Sequence, residues 1–310
     1  MTEYDAGYKL LFSFPEMVKD LITGFVREEW VSRLDFDSLE RINASYVSDD
    51  LRQRHDDVIW RLRFADQWLY VYILIEFQSS IDKFMSVRTL AYVGLLYQDL
   101  IRGKQLTQNG KLPPVLPIVL YNGDSRWDAP TDVFDLIENI PGSLARFSPR
   151  MAYLLIDEGA YENAELESVK NVVSALFQLE KTPKKDVSRD LLLRVVEWVK
   201  ENKTLQRAFI VFLNRIYFKE RVDVDKLYQD AKNGEEVTAM LQKNVDRWIE
   251  EWKAEGKAEG KAEGEVEGKT AERRRVAKRM LAAGIPISQV SDITNLSTEE
   301  LETLRDTVAN

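Results

Sequence analysis

Two strand-like runs, Asp57–Phe64 and Trp68–Gln78, stand only three residues apart. Both are rich in Val, Ile, Leu, Tyr, Phe and Trp, the residue types that suit a pleated, half-buried surface. Ala65, Asp66 and Gln67 between them make a loop of hairpin length. An antiparallel hairpin brings the start of its first strand beside the end of its second. Asp57 opens the first run, and Glu76-Phe77-Gln78 closes the second. Glu76 and Gln78 are two residues apart, so they fall on one face of the strand.

Two carboxylates at the ends of apolar strands are costly to bury unpaired. Two arrangements would relieve that cost. Asp57 and Glu76 could share a hard, oxygen-ligated divalent cation such as Mg2+. Alternatively they could pair with nearby arginines, such as Arg61 or Arg63, in a purely structural role.

The flanking chain supplies a mixed α/β context. Apolar residues at three- and four-residue spacing predict a helix over Asp5–Trp30, with Pro15 forcing a break or a fresh start. Arg41–Val47 reads as a short strand. Asp82–Ile101 is helical, with Gly103 just past its end. Val115–Tyr121 and Met151–Ile156 are short apolar strands, and Tyr121-Asn122-Gly123-Asp124 is a turn. Strands interleaved with helices imply a mixed central sheet flanked by helices over residues 1–160.

Residues 161–252 carry helical periodicity alone, in the runs Leu166–Leu179, Val187–Val199, Leu205–Phe218 and Val237–Trp252. They are expected to form a helical bundle packed on the first domain. Residues 253–268 then read KAEG-KAEG-KAEG-EVEG. Each interior glycine costs a helix about 1 kcal/mol. In the strict repeat, Lys stands over Lys and Glu over Glu, which also disfavours an isolated helix. This segment is a semi-flexible linker, or else a long helix whose small residues admit a close partner. Residues 269–310 follow as a basic helix with Arg273, Arg274 and Arg275, then two short helices. The second of these opens with the capping box Ser297-Thr298-Glu299-Glu300. Three short helices with tight turns resemble a helix-turn-helix unit, able to contact DNA or to serve self-association, with a homodimer expected.

Composition narrows the chemistry. The 310 residues include no cysteine and a single histidine, His55. Disulfides, thiol nucleophiles, iron–sulfur clusters and Cys-ligated zinc are excluded. A Ser-His-Asp triad has one candidate base. Carboxylates, hydroxyls, cationic side chains and hard metals remain. The balance of 43 Lys+Arg against 52 Asp+Glu, net −9, argues against a broad basic coat for nucleic acid, so any such contact must use a local patch. No targeting segment or span of ~20 apolar residues is evident, and a cytoplasmic protein without membrane contact is expected.

Four segments carry a family resemblance. They are Asp5-x-x-Tyr8-Lys9-x-Leu11-Phe12, Asp50-Leu51-Arg52-x-Arg54-x-x-Asp57, Leu74-Ile75-Glu76-Phe77-Gln78-Ser79-Ser80, and Leu112–Gly123. With them the chain resembles the recombination-promoting nucleases, or YhgA-like transposases, of the PD-(D/E)xK nuclease superfamily. The resemblance implies an Mg2+-dependent DNA endonuclease active in recombination. Asp57 and Glu76 would be metal ligands and Phe77 would add its carbonyl. Gln78 would stand where the superfamily often has lysine. Asp5 and Lys9 would lie near the site, and Arg52 and Arg54 could touch phosphates. Glutamine can orient a water by hydrogen bonds but is neutral, unlike lysine.

Overall fold

The computed structural model describes residues 3–42, 57–65, 67–76, 81–123, 125–138, 143–182, 189–216, 222–231 and 233–306. Residues 1–244 form one compact unit and residues 245–310 a second.

The first unit is built on a five-stranded sheet in the order β1-β2-β3-β4-β5. The strands are β1 (Leu34–Arg41), β2 (Asp57–Phe64), β3 (Gln67–Glu76), β4 (Val115–Tyr121) and β5 (Leu154–Asp157). β1, β2 and β3 pair antiparallel, whereas β4 and β5 are added parallel to β3. The expected hairpin is therefore present, with one correction. Phe64 pairs with Gln67, so the turn is two residues long, and Ala65 takes the left-handed φ of 53° that tight hairpin turns favour.

The first strand also differs from expectation. It spans Leu34–Arg41, a run not expected as a strand; of the expected strand Arg41–Val47, residues 43–47 lie outside the described residues. Asp35, Asp37, Glu40 and Arg41 mask its strand character in the sequence. Such charges suit an edge strand, where they discourage pairing with other chains. Its register shifts between Asp35 and Glu40.

Helices cover both faces. The predicted N-terminal helix is split into α1 (Glu3–Leu11) and α2 (Pro15–Phe25), with Pro15 at the start of the second. α1 lies on the face that carries Trp60, whose indole N–H donates to the Phe12 carbonyl at 3.0 Å. α3 (Met85–Arg102) covers the opposite face, where Met85, Tyr92, Leu96 and Leu100 pack with Ile59, Tyr70, Val119 and Tyr153. It connects parallel neighbours, as a crossover between parallel strands requires.

The helical region follows as α4 (Asn163–Val169), α5 (Val172–Lys181), α6 (Arg189–Trp198), α7 (Lys203–Ile216) and α8 (Val224–Asp230). The single helix expected over Leu166–Leu179 is two helices. Lys170 is left-handed at φ 54°, and Asn171 opens α5 with a reciprocal capping box to Ser174. The Asn171 side chain also donates to the Asp20 carbonyl at 2.7 Å, tying the break to α2.

The glycine-spaced repeat is helical, within α9 (Gly234–Ala282). In the second unit, α10 (Ile287–Thr294) and α11 (Thr298–Asp306) fold against Ala277 of α9 through Val290, Leu296 and Leu301. The expected capping box is present: Glu300 N–H donates to Ser297 Oγ, and Ser297 N–H to Glu300 Oε2, both at 3.2 Å. No helix among the described residues is long and apolar enough to cross a membrane.

Candidate active site

The register of β2 and β3 brings the two acidic strand ends together. Asp57 is paired with Leu74, two residues before Glu76. Paired residues share a face and the face repeats every second residue, so Asp57 and Glu76 are diagonal neighbours on one face. It is the face covered by α3, since Ile59 of the same parity packs there.

The parallel strands extend that edge. Glu76 is paired with Tyr121 of β4, and Tyr121 with Asp157 of β5. Glu76, Tyr121 and Asp157 therefore form one row at the carboxyl ends of three parallel strands. In open α/β sheets, ligands bind outside these ends. Asp157 was not among the expected site residues. The signal for it was present, because Tyr153–Asp157 ends a short apolar run with an acid much as Tyr72–Glu76 does.

The loop after β4 is built closely around this row. The Tyr121 ring lies over Gly123, where an added Cβ would stand 2.1 Å from the hydroxyl. Trp127 meets Tyr121 edge-on, with centroids 4.9 Å apart. Arg126 donates to Asp157 Oδ1 at 2.7 Å and to the Gly123 carbonyl at 3.3 Å. The Trp127 N–H donates to Asp157 Oδ2 at 3.2 Å, so both oxygens of this buried carboxylate are held.

The remaining expected residues fall as follows. Asp5 and Lys9 lie on α1, which sits on the opposite face from α3 but reaches the same edge: the Tyr8 hydroxyl donates to Glu158, the residue after Asp157. Lys9 is half-buried. Phe77, Gln78, Arg52, Arg54 and His55 lie outside the described residues. Among described residues no group of three or more His, Cys, Asp or Glu side chains is arranged to hold a metal ion. The two arginines considered as structural partners for the acids are engaged at the other end of the hairpin. Arg61 pairs with Glu40 at 2.6 Å, and the guanidinium carbons of Arg61 and Arg63 stand 4.5 and 4.0 Å from the Trp68 ring centre.

In the second unit Arg273, Arg274 and Arg275 are exposed. Arg274 pairs with Glu300 at 3.2 Å and Arg275 with Glu272 at 2.9 Å. Exposed pairs of this kind are weak and remain open to competition from other anions.

Comparison with known proteins adds a lineage. The chain is 29% identical over 178 residues to recombination-promoting nuclease RpnD of Escherichia coli O157:H7, covering 57% of this chain and 66% of that protein. It is 29% identical over 122 residues to recombination-promoting nuclease RpnA of Escherichia coli K12, covering 39% and 40%. The chain thus spans less than two thirds of the length of either. It is 27% identical over 189 residues to the inactive recombination-promoting nuclease-like protein RpnE of Escherichia coli K12, covering 61% and 60%. No solved structure matches. The family described as "Putative transposase, YhgA-like" matches residues 2–209, from α1 into α7. All five strands and the acidic row lie inside that match, and the chain belongs to the YhgA-like transposase family.

Proposed function

We propose that the protein is an Mg2+-dependent DNA endonuclease acting in recombination, with a PD-(D/E)xK-type core. The observation that carries this reading is the register that makes Asp57 and Glu76 diagonal neighbours beside the carboxyl edge of β3 and β4. The hairpin followed by a helix and a parallel strand agrees with that core. The relatives named recombination-promoting nucleases support the reaction class.

The donor set fits a hard cation. Two carboxylates and a backbone carbonyl are oxygen ligands of the kind Mg2+ takes, alongside waters. Asp57 and Glu76 would hold the ion, with the Phe77 carbonyl as a third ligand. When bound, Mg2+ lowers the pKa of coordinated water and stabilises charge on phosphoryl oxygens. Gln78 would orient the attacking water by hydrogen bonds. Hydrolysis adds the water oxygen to phosphorus, breaks one phosphate ester bond and leaves a proton for the departing oxygen. Asp5 and Lys9 would support the site from α1, and Arg52 and Arg54 would contact substrate phosphates. The test is supercoiled plasmid with Mg2+, comparing wild type with Asp57→Ala and Glu76→Ala. Nicking or linearisation by wild type alone is expected, and equal cutting by all three sinks the assignment.

A second reading is a non-cleaving DNA-binding or recombination accessory protein. The exposed arginines Arg273, Arg274 and Arg275 favour it, as does the existence of a relative named inactive. In this reading the tail contacts DNA or pairs two copies of the chain. Deleting residues 253–310 is then expected to weaken DNA retention in a gel and to halve the mass seen by light scattering. Unchanged retention removes the tail from DNA contact.

A further inference from the structure

The edge just described has an electrostatic difficulty. Glu76 and Asp157 stand at the carboxyl ends of β3 and β5, on either side of β4, and Asp57 is one diagonal step from Glu76. A polyanion approaching this edge needs fixed positive charge as well as a bound metal. From the geometry of the loop after β4 we infer that Arg126 is a pre-ordered phosphate clamp, gripping the nucleic-acid backbone beside the cleaved ester. The inference rests on the endonuclease reading and adds a residue to it.

Three observations carry this. The first is the seat. Arg126 is oriented by a buried carboxylate, Asp157, which is itself pinned by the Trp127 N–H, and by the Gly123 carbonyl. The second is the absence of a side chain beneath it. A Cβ on Gly159 would stand 1.8 Å from Arg126 Nη2, 2.2 Å from Nη1 and 2.3 Å from Cζ, so the terminal edge of the guanidinium abuts the backbone of residue 159. Only glycine allows that approach. The third is exposure. The Asp157 side chain is 9% exposed, yet that of Arg126 is 49% exposed. Described residues engage two of the five N–H groups that an arginine carries, one on each terminal nitrogen, which leaves the Nε–H of this half-exposed side chain for a phosphate oxygen. An arginine serving only to neutralise Asp157 has no need of so open a position.

Holding the guanidinium in place beforehand removes rotamer entropy that a free surface arginine would lose on binding. It also explains why the clamp stands on β5 and the β4 loop rather than on the hairpin. Asp57 and Glu76 stand at the hairpin end of the row, and Arg126 stands on Asp157 two strands away along the same edge.

The test uses full-length protein and a short fluorescent DNA duplex in EDTA, so that binding is read without cleavage, across a salt series. Arg126→Gln is expected to weaken binding roughly tenfold or more, as loss of a charge-assisted contact implies. The slope of log affinity against log salt is expected to become shallower by about 0.9, the value of one phosphate contact. Arg126→Lys should keep most of the slope. Gly159→Ala keeps the charge but unseats it, and should weaken binding as well. Thermal unfolding of each variant separates a folding defect from a lost contact. Arg126→Gln binding with wild-type affinity and slope, even with a lowered melting temperature, overturns the clamp and leaves the nuclease reading intact. So does a lost slope that Arg126→Lys fails to restore. Wild type that binds no duplex in any salt overturns the clamp, and the plasmid assay with Mg2+ decides the nuclease reading separately.

Discussion

The Tyr8 hydroxyl donates to Glu158 Oε2 at 3.1 Å, joining α1 to the end of β5 across 150 positions of sequence. Both residues are buried, and Glu158 Oε1 has no hydrogen-bond partner among the described residues. Burial pushes the Glu158 carboxyl well above its ordinary 4.5, and the charges of Glu180 on α5 and of Asp157 push it further; the Tyr8 hydrogen bond pulls the other way. The packed end of β5 therefore favours a protonated glutamic acid.

That relationship makes stability depend on pH in a defined direction. Below 4.5 the carboxyl is protonated in both the folded and unfolded chains, and no penalty applies. Above 4.5 the unfolded chain releases the proton while the folded chain retains it. Stability is expected to fall as pH rises from 4.5, until the folded group itself ionises. Glu158→Gln should flatten this part of the profile and raise the melting temperature at neutral and alkaline pH. Melting curves from pH 4 to 9 check it, and a parallel decline in wild type and variant would assign the dependence to other groups.

Tyr8→Phe removes the hydroxyl and keeps the ring against Phe212. The expected loss is about 1 kcal/mol, the usual net value of one hydrogen bond. Because that bond favours the ionised form of Glu158, its removal should also carry the pH-dependent decline to higher pH. Urea unfolding at two pH values measures both effects.

Gly7 on α1 faces α7 at very short range. An added Cβ would meet the Phe212 ring at 2.6 Å. Gly7→Ala is expected to destabilise the first unit by about 1–3 kcal/mol through overpacking. Adding Phe212→Leu should recover part of that loss in a double-mutant cycle. Additive losses would show that the two sites do not meet.

Gly268, in the repeat, is exposed, and an added Cβ there meets nothing within 4 Å. Gly268→Ala should therefore stabilise α9 by up to about 1 kcal/mol through backbone entropy alone. Slower amide exchange across residues 253–282 of the full chain checks it, and faster exchange would contradict a helical repeat.

Much of the fold was legible locally. Pro15 marks the start of α2, the capping box at Ser297 opens α11, and runs rich in aliphatic and aromatic residues mark β2 and β3. These signals act over a few residues, so the sequence displays them directly. β1 was missed because its charged residues hide its alternation. The break at Lys170 was missed because the apolar period continues through it, and the anchor that makes Asn171 a cap is Asp20 on α2.

The amino-acid order alone thus determined the hairpin, the acids at its two ends, the absence of thiol and multi-histidine chemistry, and the family. Tertiary structure decided which other strand ends join those acids. The row Glu76–Tyr121–Asp157 arises from parallel pairings between strands tens of residues apart, and no local period encodes such a register. The seating of Arg126 on Asp157 and Gly159, and of Tyr8 on Glu158, follows from the same long-range pairing. Packing on both faces of the sheet sets that register, because a one-residue slip would turn every buried side chain to the wrong face.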